Sequence, residues 1–396
     1  MTENSLITKV LYDYQAFDMQ THGGISRCIC ELYKQLPDTV QATFGIEETD
    51  NVYLNQLGFP AQGTAYRHFL SKNNFPLKKA IYKAYYNIRR GHPSRWDKSP
   101  LLNEFKTMDL LNQADYDIFH PTFFDTYFLN YLNGKPFVLT IHDMTEELFP
   151  QYYPANSKQI LGKQILAPLA AHIIAVSEQT RKDIIRLLGV AEEKITVIYH
   201  GVDESPYVPG NSVAYDFEYI LYVGARWPYK NFNTFCKYCK PILERHPNIK
   251  IVCTSSPFTK EEQSFLDALG IADKVVHRFA KSDQELGDLY HHAIAFVYPS
   301  EYEGFGIPIL EAYKADCPVM LNNTSCFPEI AGDAAIYFKM SKESSDFEEQ
   351  FETLYHLNTN ERESLLNKQR QRMQMFSWKK AAKQLADVYQ NVMSRK

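Results

Sequence analysis

The chain has 396 residues, 45% of them hydrophobic, which allows two packed domains and argues against a disordered polymer. A net charge of −5 excludes a general nucleic-acid binder, whose affinity rests on surplus Lys and Arg. There is no run of eighteen apolar residues and no charged-then-apolar leader, so a soluble, cytoplasmic protein is expected.

An apolar run at 10–12 predicts a first strand, followed by a loop with His22-Gly23-Gly24 and a helix striped by Ile25, Cys28, Ile29, Leu32 and Leu36. Gly23 and Gly24 let a backbone approach a ligand at a helix start, and they equally suit a plain strand-to-helix turn. Residues 64–98 carry nine Lys and Arg against one acid, Asp97, with Phe69, Phe75, Tyr82, Tyr85 and Tyr86 interleaved. That mixture suits an anionic membrane surface or a phosphate-bearing acceptor; the plainer reading is a solvated helical insertion. Further strands are expected at 137–141, 173–176 and 195–199, with His142 at the C-terminal end of the first of these. The Asp-, Pro-, Gly-, Ser- and Asn-rich text of 201–217 reads as a linker.

The second half repeats the pattern, with strands expected at 220–223, 249–253, 295–298 and 319–321. Strands alternating with helical patterns imply an α/β protein with parallel sheets covered by helices. Seven scattered cysteines suit reduced thiols, and the Cys236/Cys239 pair sits in a helical pattern without a second C-x-x-C to hold zinc. Arg226 and Lys230 follow a strand end, the place where open α/β sheets bind ligands. In the segment YPSEYEGFGIPILE, Glu303 and Glu311 have seven residues between them, around a glycine-flanked turn. Pro308 suits the first turn of a helix, so N–H groups of Phe305, Gly306 and Ile307 are expected to face an anion such as a diphosphate. Eight helical steps rise ~12 Å, about the span from a hexose to a ribose across a pyrophosphate, and carboxylates accept hydrogen bonds from diols. Glu301 is expected to face solvent. At the end of the chain Trp378, Ala381, Ala382, Leu385, Tyr389 and Val392 form a helical stripe that needs a surface to cover.

The stretch YPSEYEGFGIPILEAYKADCPV, followed by FPEIAGDAAIYF, closely resembles the Glu-x7-Glu region of the family-4 retaining glycosyltransferases of GT-B fold. HGGISR (22–27), TIHDM (140–144), AVSEQTRKDI (175–184), VIYHGVD (197–203), YVGARWPYKN (222–231) and FSWKKAA (376–382) fall in that family's order, so the likeness spans nearly the whole chain apart from an insertion at about 50–112. The resemblance implies two Rossmann-like parallel-sheet domains facing a cleft. The first is an acceptor-side domain at 1–205 onto which a C-terminal helix, 378–396, packs back; the second, at 206–377, binds the nucleotide sugar. It implies that Glu303 binds donor-sugar hydroxyls nearest the anomeric centre and that Glu311 binds the ribose. Arg226 and Lys230 then neutralise the diphosphate, opposed by Gly23 and Gly24, with Gly304 in the donor loop. His142 touches the donor sugar, and Phe279 and Lys281 lie near the base. Asp115-Tyr116-Asp117 looks like the D-x-D metal motif of a different glycosyltransferase fold and is read as a decoy, because GT-B members need no catalytic metal; no cofactor is implied.

The implied reaction moves a hexose from a nucleotide sugar to a hydroxyl of a glycan or lipid-linked glycan, with retained configuration and front-face attack. GDP-mannose and UDP-hexoses share the diphosphate and ribose that these residues read, and likeness of the YKNF loop to mannosyltransferase-like members favours GDP-mannose. Two departures stand out: bulky Trp227 beside the donor loop, and Tyr199-His200 where Pro-Asn is commoner. The rivals are a non-catalytic GT-B glycan-binding or partner-binding protein and an NAD-dependent dehydrogenase, whose G-x-G-x-x-G is missing after the first strand.

Overall fold

The computed structural model describes residues 7–61, 99–203, 205, 207–210 and 215–395, so the basic aromatic segment 64–98 lies outside the described residues. The first half holds β1 (Thr8–Tyr12), β2 (Val40–Phe44), β3 (Ile118–His120), β4 (Val138–Ile141), β5 (His172–Ala175) and β6 (Ile195–Val197). They form two parallel sheets of order β2-β1-β3 and β4-β5-β6, and a parallel bridge between Phe119 and Phe137 joins them edge to edge. The second half holds β7 (Glu218–Tyr222), β8 (Ile249–Cys253), β9 (Val275–His277), β10 (Ala295–Tyr298), β11 (Val319–Asn322) and β12 (Ile336–Phe338). These make one parallel sheet of order β12-β11-β10-β7-β8-β9, the doubly wound Rossmann order read from its far edge. The chain is therefore α/β with two Rossmann-like halves.

Strands covered by helices on both faces must be apolar throughout, and β10, Ala-Phe-Val-Tyr, is buried at every position. Helices start and stop on local chemistry. Ser177 Oγ accepts from Thr180 N at the start of the Glu178–Leu188 helix, and Gly189 ends it at φ 65°, a conformation that glycine adopts without penalty. Cys236 and Cys239 are buried in the core of the second half.

The chain crosses between the halves twice at one place. Val202 N donates to Phe376 O at 3.3 Å, and a Cβ on Gly201 would lie 2.2 Å from Trp378 N, so only glycine permits the crossing. Beyond it the Trp378–Ser394 helix packs on the first half, where Leu385, Tyr389 and Val392 share a core with Val10 and Tyr12. The Tyr389 hydroxyl is 2.6 Å from both Tyr12 OH and His120 Nδ1, and His120 Nε2 lies 2.9 Å from Thr140 Oγ1.

Candidate active site

In the second sheet β7 and β10 are neighbours although three helix-crossing steps separate them in sequence, so the connections leave their C-terminal ends in opposite directions. That topological switch point opens the crevice of a doubly wound sheet. Lys230 follows β7 and Glu303 follows β10, and Lys230 Nζ meets Glu303 Oε1 at 2.6 Å. Ser300 Oγ donates to the same oxygen at 2.8 Å, while Ser325 Oγ binds both the Glu303 N–H (3.1 Å) and its carbonyl (2.8 Å). A carboxylate fixed at both its side chain and its backbone is preorganised, because it has few rotamers left to lose when a ligand binds.

Only part of the 303–311 segment is helical. The helix runs Ile307–Lys314 with Gly306 as N-cap at φ 93°, so Glu303 lies in the preceding loop and the expected helical separation of the two carboxylates does not apply. Gly304 is buried against the other half: a Cβ there would lie 1.8 Å from the His142 carbonyl oxygen. Phe305 is packed rather than open to a ligand, its ring 4.9 Å from His200 and 5.7 Å from Phe376. Ile307 opposes Gly24, whose Cβ would meet Ile307 Cδ1 at 3.8 Å. Gly23 caps that opposing helix, Gly24–Lys34, in an extended conformation. Glu301 is half-buried, and burial raises its carboxyl above the usual range, which corrects the expectation of a solvent-facing side chain.

Glu311 faces the first half. Arg27 Nη1, one turn into the Gly24–Lys34 helix, donates to Glu311 Oε1 at 2.8 Å, and Tyr290 OH donates to Oε2 at 3.3 Å. Burial pushes the Glu311 carboxyl above its ordinary range, and the Arg27 charge pulls it partly back. Arg226 turns away from Lys230. Its guanidinium meets Glu262 at 2.7 Å through Nε and the carbonyls of Ser256 and Pro257 at 2.8 and 2.9 Å through Nη2. Glu262 is itself fixed by the capping box of the Lys260–Leu269 helix. In this arrangement Arg226 braces the wall of the crevice and Lys230 is the cation beside Glu303.

His142 lies past β4 with its ring stacked on His200, centroids 5.8 Å apart. Burial lowers its pKa to about 4, with Asp143 opposing, so the imidazole is neutral at pH 7. Phe279 and Lys281 follow the edge strand β9 and are exposed, two strands from β7, with no described contact to Lys230 or Glu303. Trp227 is likewise exposed. Asp115 pairs with Lys9, and Asp117 accepts from Lys9 N at 2.8 Å, so both serve the β1–β3 junction.

Other contacts tie the halves together. Thr180 Oγ1 donates to Gly304 O at 3.2 Å, and Met144 N donates to Tyr302 OH at 3.3 Å. Both Glu329 oxygens accept from the start of the Glu178–Leu188 helix, from Glu178 N at 2.6 Å and Gln179 N at 3.0 Å. Sequence reasoning missed Arg27, Ser300, Glu262 and Glu329 as site members. Arg27 and Ser300 stood inside the HGGISR and YPSEYEGFG motifs, whereas Glu262 gave no local signal because it lies 36 residues from Arg226.

Residues 22–205 match the family described as Glycosyltransferase Family 4, and residues 210–372 match Glycosyl transferases group 1. The chain also overlays the crystal structure of Anabaena Alr3699/HepE in complex with UDP and glucose at a TM-score of 0.71 and 16% identity, covering 97% of this chain and all of that one. The chain belongs to the family-4 glycosyltransferases of GT-B fold. Among relatives of this family-4 chain is the O-antigen chain mannosyltransferase RfbU of Salmonella typhimurium, 33% identical over 211 residues, which are 52% of this chain and 58% of that one. Another is the GDP-mannose:cellobiosyl-diphosphopolyprenol alpha-mannosyltransferase of Xanthomonas oryzae pv. oryzae, 24% identical over 320 residues, 79% of this chain and 78% of that one. The match thus spans little more than half of RfbU.

Proposed function

We propose that the chain is a retaining glycosyltransferase that moves a hexose, mannose from GDP-mannose, to a hydroxyl of a glycan or lipid-linked glycan. The observation that carries this reading is the Lys230–Glu303 pair at the β7/β10 switch point. A leaving diphosphate gains charge in the transition state, and a preorganised cation beside it lowers that barrier. Glu303, held by Ser300 and Ser325, accepts hydrogen bonds from donor-sugar hydroxyls, and neutral His142, whose backbone lies against Gly304, touches the donor sugar from the first half. Attack comes from the face the diphosphate leaves, and a phosphate oxygen takes the acceptor proton. Side-chain cations carry the phosphate charge, so the reaction needs no metal.

GDP-mannose is favoured over a UDP-hexose because the named relatives include mannosyltransferases, one of them described as using GDP-mannose; the UDP reading draws support from UDP bound to the HepE fold neighbour. A lipid-linked acceptor would bring the protein to the inner membrane face, where the nine Lys and Arg in the 64–98 sequence suit anionic lipid. No helix among the described residues is long and apolar enough to cross a membrane. The test is a thermal-shift and product-release screen over nucleotide sugars, since bound donor raises stability by mass action. GDP-mannose should give the largest shift, and Glu303→Gln and Lys230→Ala should each lower turnover by about 10²-fold or more with the fold intact. Near-normal turnover in either variant would sink the assignment.

A further inference from the structure

Arg27 and Glu311 form an ion pair across the cleft, with side chains 26% and 20% exposed. This is the carboxylate that the family resemblance assigns to the ribose of the donor. The two demands compete for space: the Glu311 side chain is only 20% exposed and each of its oxygens already accepts one hydrogen bond, from Arg27 and from Tyr290, so a diol approaching the open edge crowds the Arg27 guanidinium. The guanidinium cannot simply be abandoned either, since a buried charge stripped of its partner is costly. Asp283, at 3.7 Å from Arg27 Nη2, is a long and exposed second partner. A ribose that takes this edge of Glu311 from Arg27 leaves the guanidinium needing a second anion, and a nucleoside diphosphate carries one. Helix geometry puts that anion within reach of the right group: Arg27 is three residues on from Gly24, so the two share one helix face, and Gly24 opposes Ile307 at the start of the helix that carries Glu311. A cavity of about 310 Å³ lined by Arg27, Asp283, Tyr290, Glu311 and Lys314 adjoins the pair.

We propose that Arg27 is a donor-binding residue held in reserve by Glu311: the ribose hydroxyls displace its Nη1–H from the carboxylate, and the freed guanidinium binds the donor diphosphate. This rests on the nucleotide-sugar reading above. The exchange swaps one anionic partner for another, so it favours a ligand carrying ribose and diphosphate together over either part alone. A planar guanidinium suits phosphate better than an ammonium does, which gives Arg over Lys at this position a chemical reason.

The experiment measures binding of UDP against uridine and of GDP against guanosine by titration calorimetry, in the wild type, Arg27→Gln and Glu311→Gln. Arg27→Gln removes the competitor for Glu311, so nucleoside affinity should hold or rise while the diphosphate-to-nucleoside affinity ratio falls by about tenfold, the worth of one charge-assisted contact. A merely structural cross-cleft pin would instead weaken both ligands by the same factor; an unmoved ratio overturns the proposal. If Arg27→Gln does not fold, the same ratio is read in Arg27→Lys, where a threefold fall is expected on the order of half the free energy, and an unmoved ratio is again decisive. The underlying reading fails separately: it falls if neither diphosphate binds the wild type, or if Glu311→Gln leaves nucleoside affinity untouched.

Discussion

Gly304→Ala isolates the contact between the donor loop and the opposite half. A Cβ on residue 304 would stand 1.8 Å from the His142 carbonyl oxygen, about 1.2 Å short of the 3.0 Å that real Cβ contacts respect, and 3.1 Å from Asp143 Cβ. The obstacle is backbone, so no side chain can turn aside to relieve it. The glycine's own conformation is not left-handed, so alanine adds no local strain. Each half keeps its own core, and the relief available is a separation of the halves by about that 1.2 Å at the cleft. Misplacing reacting groups by about 1 Å costs on the order of 10²-fold in rate. The expected outcome is a native-like circular dichroism spectrum, with kcat lowered about 100-fold and nucleotide binding to the second half retained. Steady-state product release and nucleotide titration on the same preparation measure both. Wild-type kcat in Gly304→Ala would refute the claim that the closed contact between these loops belongs to the working state.

Other outcomes are equally specific. Gly162→Ala puts a Cβ 2.1 Å from Phe124 O inside one half, so chemical denaturation should show an unfolding free energy lower by about 1–3 kcal/mol, where Gly304→Ala does not. Tyr389→Phe strands both Tyr12 OH and His120 Nδ1 and should cost about 2 kcal/mol or more in urea unfolding; an unchanged midpoint would show that the hydroxyl chain is not stabilising. Burial, with the His142 charge adding to it, lowers the pKa of His120 and of His200 to about 3. Both take up protons more readily unfolded than folded, so their contribution is complete above the ordinary histidine range and is lost as pH falls from about 6.5 toward 3. With His142, whose pKa burial lowers to about 4, stability should then drop by roughly 4 kcal/mol per pH unit near pH 5, reflecting about three protons, and His200→Asn should remove about one proton from that slope. Glu329→Gln weakens the acceptor at the start of the Glu178–Leu188 helix, and small-angle scattering should report a broader distribution of distances between the halves. An unchanged distribution would assign that carboxylate a purely local role.

Much of the architecture was legible because the code for it is local. Buried parallel strands need continuous apolar runs, and those runs stood in the text at 220–223, 249–253 and 295–298 close to the observed β7, β8 and β10. Glycines and prolines marked the turns, and Pro308 announced the Ile307–Lys314 helix to within a residue. The sequence by itself determined that Lys230 and Glu303 follow strand ends, which is where a doubly wound sheet opens, and that Glu311 sits on the helix beyond. It did not determine partners, because charged side chains pair through space across gaps that no periodicity records. Only the tertiary structure put Lys230 on Glu303, turned Arg226 to Glu262, and brought Arg27 across the cleft to Glu311 over 284 positions of chain. Within the second half the strand order did this, by making β7 and β10 neighbours, and across the cleft it was the packing of the Gly24–Lys34 helix against the start of the Ile307–Lys314 helix; which cation meets which carboxylate is a property of that assembly rather than of any segment.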